Sequence, residues 1–174
     1  MSTLFVNNLN TASGSTITVP TGKQIIGTDA RTFKAPGMVI QISQAYARGA
    51  VTNSTTTLAG TGLDIDFTPS STSSKVLIMA SFDIDTSASS RQAYATLYRD
   101  STRLDNITDA GSIGLTNLYD AGDRVISNSQ IHFLDSPSST SQLHYEVYFK
   151  TTGGSVQFCS QNCRGVITCM EIAQ

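Results

Sequence analysis

The sequence predicts an all-β protein, a jelly-roll-like β-sandwich preceded by an extended N-terminal arm. Two observations lead to this fold class. Of the 174 residues, 23 are Ser and 23 are Thr, while only 14% are charged; Thr favours strands, and Ser and Gly favour the turns between them. Short apolar or alternating runs also follow one another between turn signals, at the spacing typical of a sandwich, and no run has the period of an amphipathic helix.

Residues 1–36 differ from the rest and predict the extended arm. Short apolar bursts lie there between Ser, Thr, Gly, Asn and Pro residues, and none is long enough to build a core. The bursts consist of Leu4, Phe5 and Val6, then Ile17 and Val19, then Ile25 and Ile26. Because such bursts are buried only against another molecule, we expect the arm to be ordered by contact between chains and to carry the oligomerisation or anchoring residues.

Residues 37–174 are expected to form the sandwich domain in eight or nine strands. The first strand is predicted over 38–46. Residues 63–67 alternate strictly, with apolar side chains on one face and Asp64 and Asp66 on the other. The strongest strand is predicted over 75–85. Its continuous apolar first half predicts cover on both faces, and its alternating second half predicts one solvated face.

The remaining strands follow the same signals. They are predicted over 91–99, 102–107, 124–135, 143–149, 155–159 and 165–172. Asp100 and Ser101 form a tight turn that makes the first two of these a hairpin. Residues 52–57 are interpreted as an edge strand or a loop, and residues 108–122 as long loops around a weak strand.

Charge and hydropathy exclude several classes of protein. The net charge is -2 and no basic run is present, so nucleic-acid binding is not expected. No apolar stretch approaches the roughly 20 residues that span a bilayer. Residues 1–10 lack a basic segment before their apolar run, so they are not expected to be a secretory signal, and folding in a cytoplasm is predicted.

The three cysteines are predicted to be structural. An odd number in a chain that folds in a cytoplasm argues against a disulfide framework. Cys159 and Cys169 are expected to pack as small apolar side chains. Cys163 lies in a polar run and is expected to be exposed.

Six segments in a fixed order extend over nearly the whole chain. They are 9–23, which contains GSTITVPTGK, then 27–30, 35–41, 67–77, 134–137 and 170–172. In their order and spacing these segments resemble virion structural proteins of marine tailed phages, of the tail fibre-like type. The resemblance implies a non-enzymatic structural protein with an all-β C-terminal domain, made in the host cytoplasm and built into the virion as a homotrimer.

This resemblance and the arm together predict an oligomeric fibre or appendage subunit whose partners are other copies of itself and other virion proteins. One alternative is a capsid decoration or head-fibre protein that stabilises the shell. Another is a receptor module that binds a host cell-surface glycan. In that case a loop with Tyr119, Asp120 and Asp123 is the candidate contact, since aromatic and carboxylate side chains suit sugars and binding residues concentrate on loops.

Two carboxylate pairs are the first candidates for a metal site, although no cofactor is predicted. Asp64 and Asp66 share one strand face, and so do Asp83 and Asp85; if their strands paired, the four groups would cluster around a Ca²⁺ or Mg²⁺ ion. The alternative is that both pairs form the solvated faces of their strands.

His144 and Glu146 also share a strand face, and they would bind a transition metal with His132 if the two strands were neighbours. The alternative is an ordinary polar face. An enzyme is not predicted: the chain has no Gly-x-Ser-x-Gly motif. Nothing marks the cleft across which a glycosidase places its two carboxylates.

Overall fold

A computed structural model describes residues 19–27, 33–86, 92–105, 114–160 and 163–174. The chain divides into two units, with the boundary between Phe33 and Lys34. In the described part of the first unit, the Lys23 N–H donates a hydrogen bond of 3.0 Å to the Pro20 carbonyl and closes a turn. All of the strands belong to the second unit.

Among these described residues there are eleven strands and no helix. The strands are β1 (Val39–Arg48), β2 (Val51–Asn53), β3 (Ala59–Phe67), β4 (Lys75–Thr86), β5 (Gln92–Arg99), β6 (Thr102–Arg103), β7 (Thr116–Tyr119), β8 (Val125–Asp135), β9 (Leu143–Thr151), β10 (Val156–Phe158) and β11 (Arg164–Ile172). Every pairing between them is antiparallel. The predicted strands therefore exist, and the weak strand expected in residues 108–122 is β7.

Three pairs of strands lie end to end along one line of a sheet, namely β1 with β2, β6 with β7, and β10 with β11. Each such pair fills one strand position, so the eleven strands occupy eight positions. β10 and β11 pair with the two halves of β4, while β2 pairs with β10 and β1 with β11. Gly49, at φ 95°, lies at the break between β1 and β2, in a backbone region that favours glycine. In the same way β6 and β7 both pair with β5.

The eight positions form two sheets. The first sheet has the order β1/β2, β10/β11, β4, β8, and the second has the order β3, β9, β5, β6/β7. Numbered along the chain, these positions run 1-8-3-6 and 2-7-4-5. This is the order of a jelly roll, in which eight strands make two Greek keys. The predicted all-β, jelly-roll-like fold is confirmed.

The core lies between the two sheets. β4 contributes a row of inward side chains that are at most 2% exposed, and β3 and β9 contribute the facing rows. The Phe158 ring links the layers, because its centroid lies 4.9 Å from that of Phe82 in the first sheet and 6.0 Å from that of Phe149 in the second. Such aromatic contacts add to the free energy gained by burial.

The two halves of β4 have the reverse of the predicted exposure. Its first half alternates between buried and half-buried residues, whereas Phe82 to Thr86 are all buried. The outward side chains Leu77 and Met79 are half-buried, whereas Asp83 and Asp85 are buried by neighbouring polar groups. The prediction was wrong because alternation shows which residues share a face but does not show what covers that face.

The predicted hairpin at Asp100 and Ser101 is confirmed. Tyr98 pairs with Arg103 and Arg99 with Thr102, which leaves a two-residue turn. Asp100 adopts φ 52°, a left-handed conformation that Asp tolerates better than most residues. The second strand of the hairpin is β6, with only two residues, and the predicted strand end at 106–107 lies outside the described residues.

Two isoleucines on β8 test the assignment of inner and outer faces. Ile131 is 1% exposed and Ile126 is 46% exposed on the opposite face. We expect Ile131→Ala to lower the free energy of unfolding by about 2–5 kcal/mol, because it removes buried methyl groups and leaves a cavity. The matched control Ile126→Ala is expected to cost less than about 1 kcal/mol. Urea unfolding measures both, and equal losses would contradict the assignment.

Candidate functional site

The predicted arm residues are only partly within the described chain. Leu4, Phe5, Val6 and Ile17 lie outside it. Val19, Ile25 and Ile26 lie within it and are 39%, 59% and 69% exposed. Side chains of this kind are most often buried, so the described part of the arm presents an apolar surface to solvent. Its role in oligomerisation stays a prediction.

The predicted receptor residues do not share one surface. Tyr119 ends β7 and is 57% exposed, and Asp123 is exposed in the connection to β8. Asp120 is fully buried, and its Oδ1 accepts a hydrogen bond of 2.8 Å from the Gly122 N–H. This is an Asx-type turn that shapes the connection. Tyr119 and Asp123 therefore remain available to a ligand, and Asp120 is a structural residue.

The four candidate carboxylates do not form one cluster. Asp64 and Asp66 lie on the outer face of the second sheet, whereas Asp83 and Asp85 belong to β4 in the first sheet. Because β3 and β4 belong to different sheets, the pairing on which a four-carboxylate cluster depended does not occur. Asp83 and Asp85 are also not solvated, since they are 6% and 2% exposed.

The two carboxylates of β4 are bound by structural partners. Arg124 donates to Asp85 through Nε at 2.9 Å and through Nη2 at 2.5 Å. This two-point hydrogen bond to Arg124 lowers the pKa of Asp85. Ser160 Oγ donates to Asp83 Oδ2 at 2.8 Å. These contacts join β4 to the start of β8 and to the segment after β10.

His144 and Glu146 share a face as predicted, but His132 is far from them in the fold. His132 points outward from the first sheet opposite Met79, and His144 points outward from the second sheet. The candidate metal site required these two strands to be neighbours, and they are not, so the three side chains do not come together. More generally, the described residues contain no group of three or more His, Cys, Asp or Glu side chains able to hold a metal ion.

His144 instead takes part in a polar cluster on the second sheet. Its Nδ1 lies 2.8 Å from Asp66 Oδ1, and its Nε2 lies 3.8 Å from Glu146 Oε2. The hydrogen bond with Asp66 is the main reason that the pKa of His144 is raised, and the charge of Asp64 adds to it. Beside this cluster the rings of Tyr98 and Tyr148 stack with centroids 4.1 Å apart.

The cysteines follow the sequence prediction. Cys159 and Cys169 are fully buried and Cys163 is exposed, and all three are free thiols. Burial raises the pKa of Cys159 to about 11 and that of Cys169 to about 12. The charge of Asp83 is the first cause of the raised pKa of Cys163. Thiols with raised pKa values carry little thiolate and are poor nucleophiles.

A buried polar bridge between the sheets was not predicted from the sequence. Arg99 Nη1 donates to both carboxylate oxygens of Asp135 at 2.8 Å and 2.7 Å, and the Tyr145 hydroxyl donates to Oδ2 at 2.8 Å. Asp135 ends β8 in the first sheet, and Arg99 and Tyr145 belong to the second. Burial raises the pKa of Tyr145 above its ordinary value of 10, so the hydroxyl stays protonated and donates.

A second feature missed at the sequence level is an apolar outer face on the first sheet. One row crosses all four positions, since Ile42 pairs with Met170, Met170 with Leu77, and Leu77 with Leu134. Beside this row Val39 pairs with Ile172. We call these six residues the outer apolar band. Ile42, Leu134 and Val39 are 59%, 51% and 46% exposed, and the other three are half-buried.

The rest of this face is more polar. In the next row Gln44 Nε2 donates to Thr168 Oγ1 at 3.0 Å, followed across the sheet by Met79 and His132. A surface depression of about 150 Å³ lies here, lined by Met79, Ala80, Ser81, Gln130, His132, Val166 and Thr168. Further along, the Arg164 guanidinium lies 4.3 Å from the centre of the Tyr46 ring. Among the described residues no helix is long and apolar enough to span a membrane.

Comparisons with known proteins give a distant structural match. No protein-family model matches the chain, and no curated protein sequence matches it. Among solved structures it is similar to a chain in the structure of infectious bursal disease virus, Gx strain, at 9% identity and a TM-score of 0.35, over 86% of this chain. The match covers 40% of that chain, so the protein spans less than half of its length. A likeness this weak carries no argument about function.

The His144 cluster predicts a pH dependence that NMR titration measures directly. We expect Asp66→Asn to lower the pKa of His144 towards its ordinary value of 6.5, because the main hydrogen bond that favours the charged ring loses its anionic acceptor. In the unchanged protein, the stabilisation from this pair is complete below pH 6.5 and is lost as the pH rises through the higher folded pKa. Asp123→Asn is the control, and an equal effect on His144 would contradict the assignment.

Proposed function

We propose that this chain is a non-enzymatic structural subunit of a bacteriophage virion, an oligomeric fibre or appendage protein that assembles as a homotrimer. The proposal depends mainly on the exposure of the arm residues Val19, Ile25 and Ile26. Burial of apolar area contributes about 25 cal/mol per Å². Three chains that bury these side chains against one another therefore gain a free energy of association that a single chain cannot gain.

The sandwich supports the same proposal. Jelly rolls are found in viral capsid proteins and lectins as well as in other proteins, so the fold is compatible with a virion role without determining it. The resemblance to tail fibre-like virion proteins, which includes the GSTITVPTGK segment, adds a reason to favour a phage particle. In this proposal residues 1–36 anchor the subunit to other virion proteins or join the chains, and the sandwich projects outward.

Native mass tests the role of the arm. We expect the unmodified full-length chain to have the mass of three chains by light scattering. A double variant, Ile25→Asn with Ile26→Asn, is expected to dissociate at the same concentration, because it replaces the exposed apolar side chains that association would bury. The control is Thr21→Asn with Gln24→Asn, which alters two exposed polar residues of the same arm. Identical masses for both double variants would contradict the role of the arm.

The alternative of a capsid decoration or head-fibre subunit gives a different result in that measurement. A monomeric full-length chain that becomes ordered only on the particle would favour it over a free-standing trimeric fibre. Peptide mass spectrometry of purified particles tests the virion assignment itself, which would be rejected if the chain were missing from particles whose genome encodes it.

A glycan-binding role is the second candidate, and the exposure of Tyr119 beside the exposed Asp123 favours it. Exposed aromatic rings offer an apolar face with a polar edge, which suits a sugar. We expect binding on a glycan array, and we expect Tyr119→Ala to weaken it by about tenfold or more, on the scale of one lost aromatic contact. Tyr46→Ala removes an equally exposed ring on the other sheet and is the control. An array without hits, or equal losses in both variants, would count against this role.

A further inference from the structure

We infer that the outer apolar band is an interface between copies of this chain, buried in the oligomer against the same band of neighbouring copies around the symmetry axis. The inference rests on the proposed function, since a fibre or appendage subunit has to associate. It concerns a different surface from the arm, because all six residues of the band belong to the sandwich.

The contrast between the two outer faces is the first reason. An antiparallel sheet with one solvated face ordinarily alternates apolar residues inside with polar residues outside. The second sheet follows this rule, with Asp64, Asp66, His144 and Glu146 on its outer face. The first sheet departs from it in the band, where an unbroken apolar row crosses four strand positions. Within one molecule, the band therefore has the composition of a covered surface, whereas the rest of the first outer face is more polar.

The size of the face is the second reason. With strands about 4.8 Å apart and a rise of about 3.4 Å per residue, four strands and eight residues cover a footprint on the order of 500 Å². The accessible area of such a corrugated surface is larger than its footprint. A stable interface buries about 800 Å² per partner, and the largest apolar patches of monomers reach about 300–600 Å². This footprint takes in the whole outer face: the band, the more polar row from Gln44 to His132, and the row with Tyr46 and Val166 beyond it. A face of this size approaches what one partner contributes to a stable interface, and the band is its apolar part.

The distribution of charge indicates that the occupant is another copy of this chain. Near a rotation axis a side chain meets its own counterparts, so an ionisable group there would face like charges. The band contains no ionisable side chain. His132 lies one row from the band, two residues before Leu134 on β8, and Lys75 pairs with Ile172 at the border of the band. Arg48, Arg164 and Asp83 lie farther along the same face. The band itself is thus compatible with a second copy of itself, and it lacks the charges that would select a partner of opposite sign.

Charged substitutions in the full-length chain test the inference. Ile42→Lys with Leu134→Lys places two charges in the band at positions that are more than half exposed in the single chain, so the fold itself is expected to tolerate them. We expect the dissociation constant of the oligomer to rise by about 100-fold or more, as it does when charges are buried without partners at the centre of an interface. Sedimentation velocity over a concentration series measures this change.

The matched control is Thr52→Lys with Ile126→Lys. These residues lie on the same outer face and in the same two edge positions, but at the other end of the sheet. We expect the control to keep the dissociation constant of the unmodified chain within a few-fold. Equal dissociation of both variants, unchanged association of the band variant, or an unmodified chain that is monomeric at every concentration would overturn the inference.

Hydroxyl-radical footprinting of the unmodified chain provides a test that needs no variant. On going from the dissociated to the associated state, we expect lower labelling of Met170 and Leu134 and unchanged labelling of Tyr119. Unchanged labelling of Met170 and Leu134 would reject the interface.

The outcomes also separate this inference from the proposed role of the arm. Loss of association in the arm variant alone leaves the proposed function standing and rejects the band. Loss in the band variant alone supports the band and rejects the arm as the site of association. Loss in both variants supports both surfaces.

Discussion

The burial of the inner face of β4 is the interaction on which the rest of the sandwich depends. β4 is paired along one edge by β8 and along most of the other by β10 and β11, so it is an interior strand of its sheet. Its inward residues, including Ile78 and Phe82, meet the inner face of the second sheet. Removing this row would expose the apolar faces of both sheets, because neither sheet has another described layer to cover its inner side.

The polar groups at the ends of β4 and β8 explain why most of the candidate chemistry of the sequence is structural. Asp85 is held by Arg124, and Asp135 by Arg99 and Tyr145. A buried carboxylate without such partners is strongly destabilising. These carboxylates are therefore already fully engaged in joining segments that are distant in sequence. The groups left to interact with other molecules lie on the two outer faces, one polar around His144 and one apolar in the band, on the arm, and at Tyr119 and Asp123.

Much of the fold could be predicted from particular runs of sequence, but less of the candidate site. The strict alternation of residues 63–67 gave the correct faces for Asp64 and Asp66, and the run 143–149 did the same for His144 and Glu146. The same reasoning failed for Asp83 and Asp85, whose cover comes from Arg124 and from the segment after β10. It also failed for His132, because the pattern within a strand carries no information about which strand lies beside it.

The sequence by itself determined that this protein is made of strands and which side chains share a face, because successive residues of a strand point to opposite sides. It also predicted an arm with apolar side chains, of which Val19, Ile25 and Ile26 are exposed in the described residues. Only the tertiary structure decided which strands are neighbours, and hence that Ile42, Met170, Leu77 and Leu134 form one row. These residues come from four separate parts of the chain. Their proximity results from long-range pairing around the buried face of β4, which no local pattern encodes.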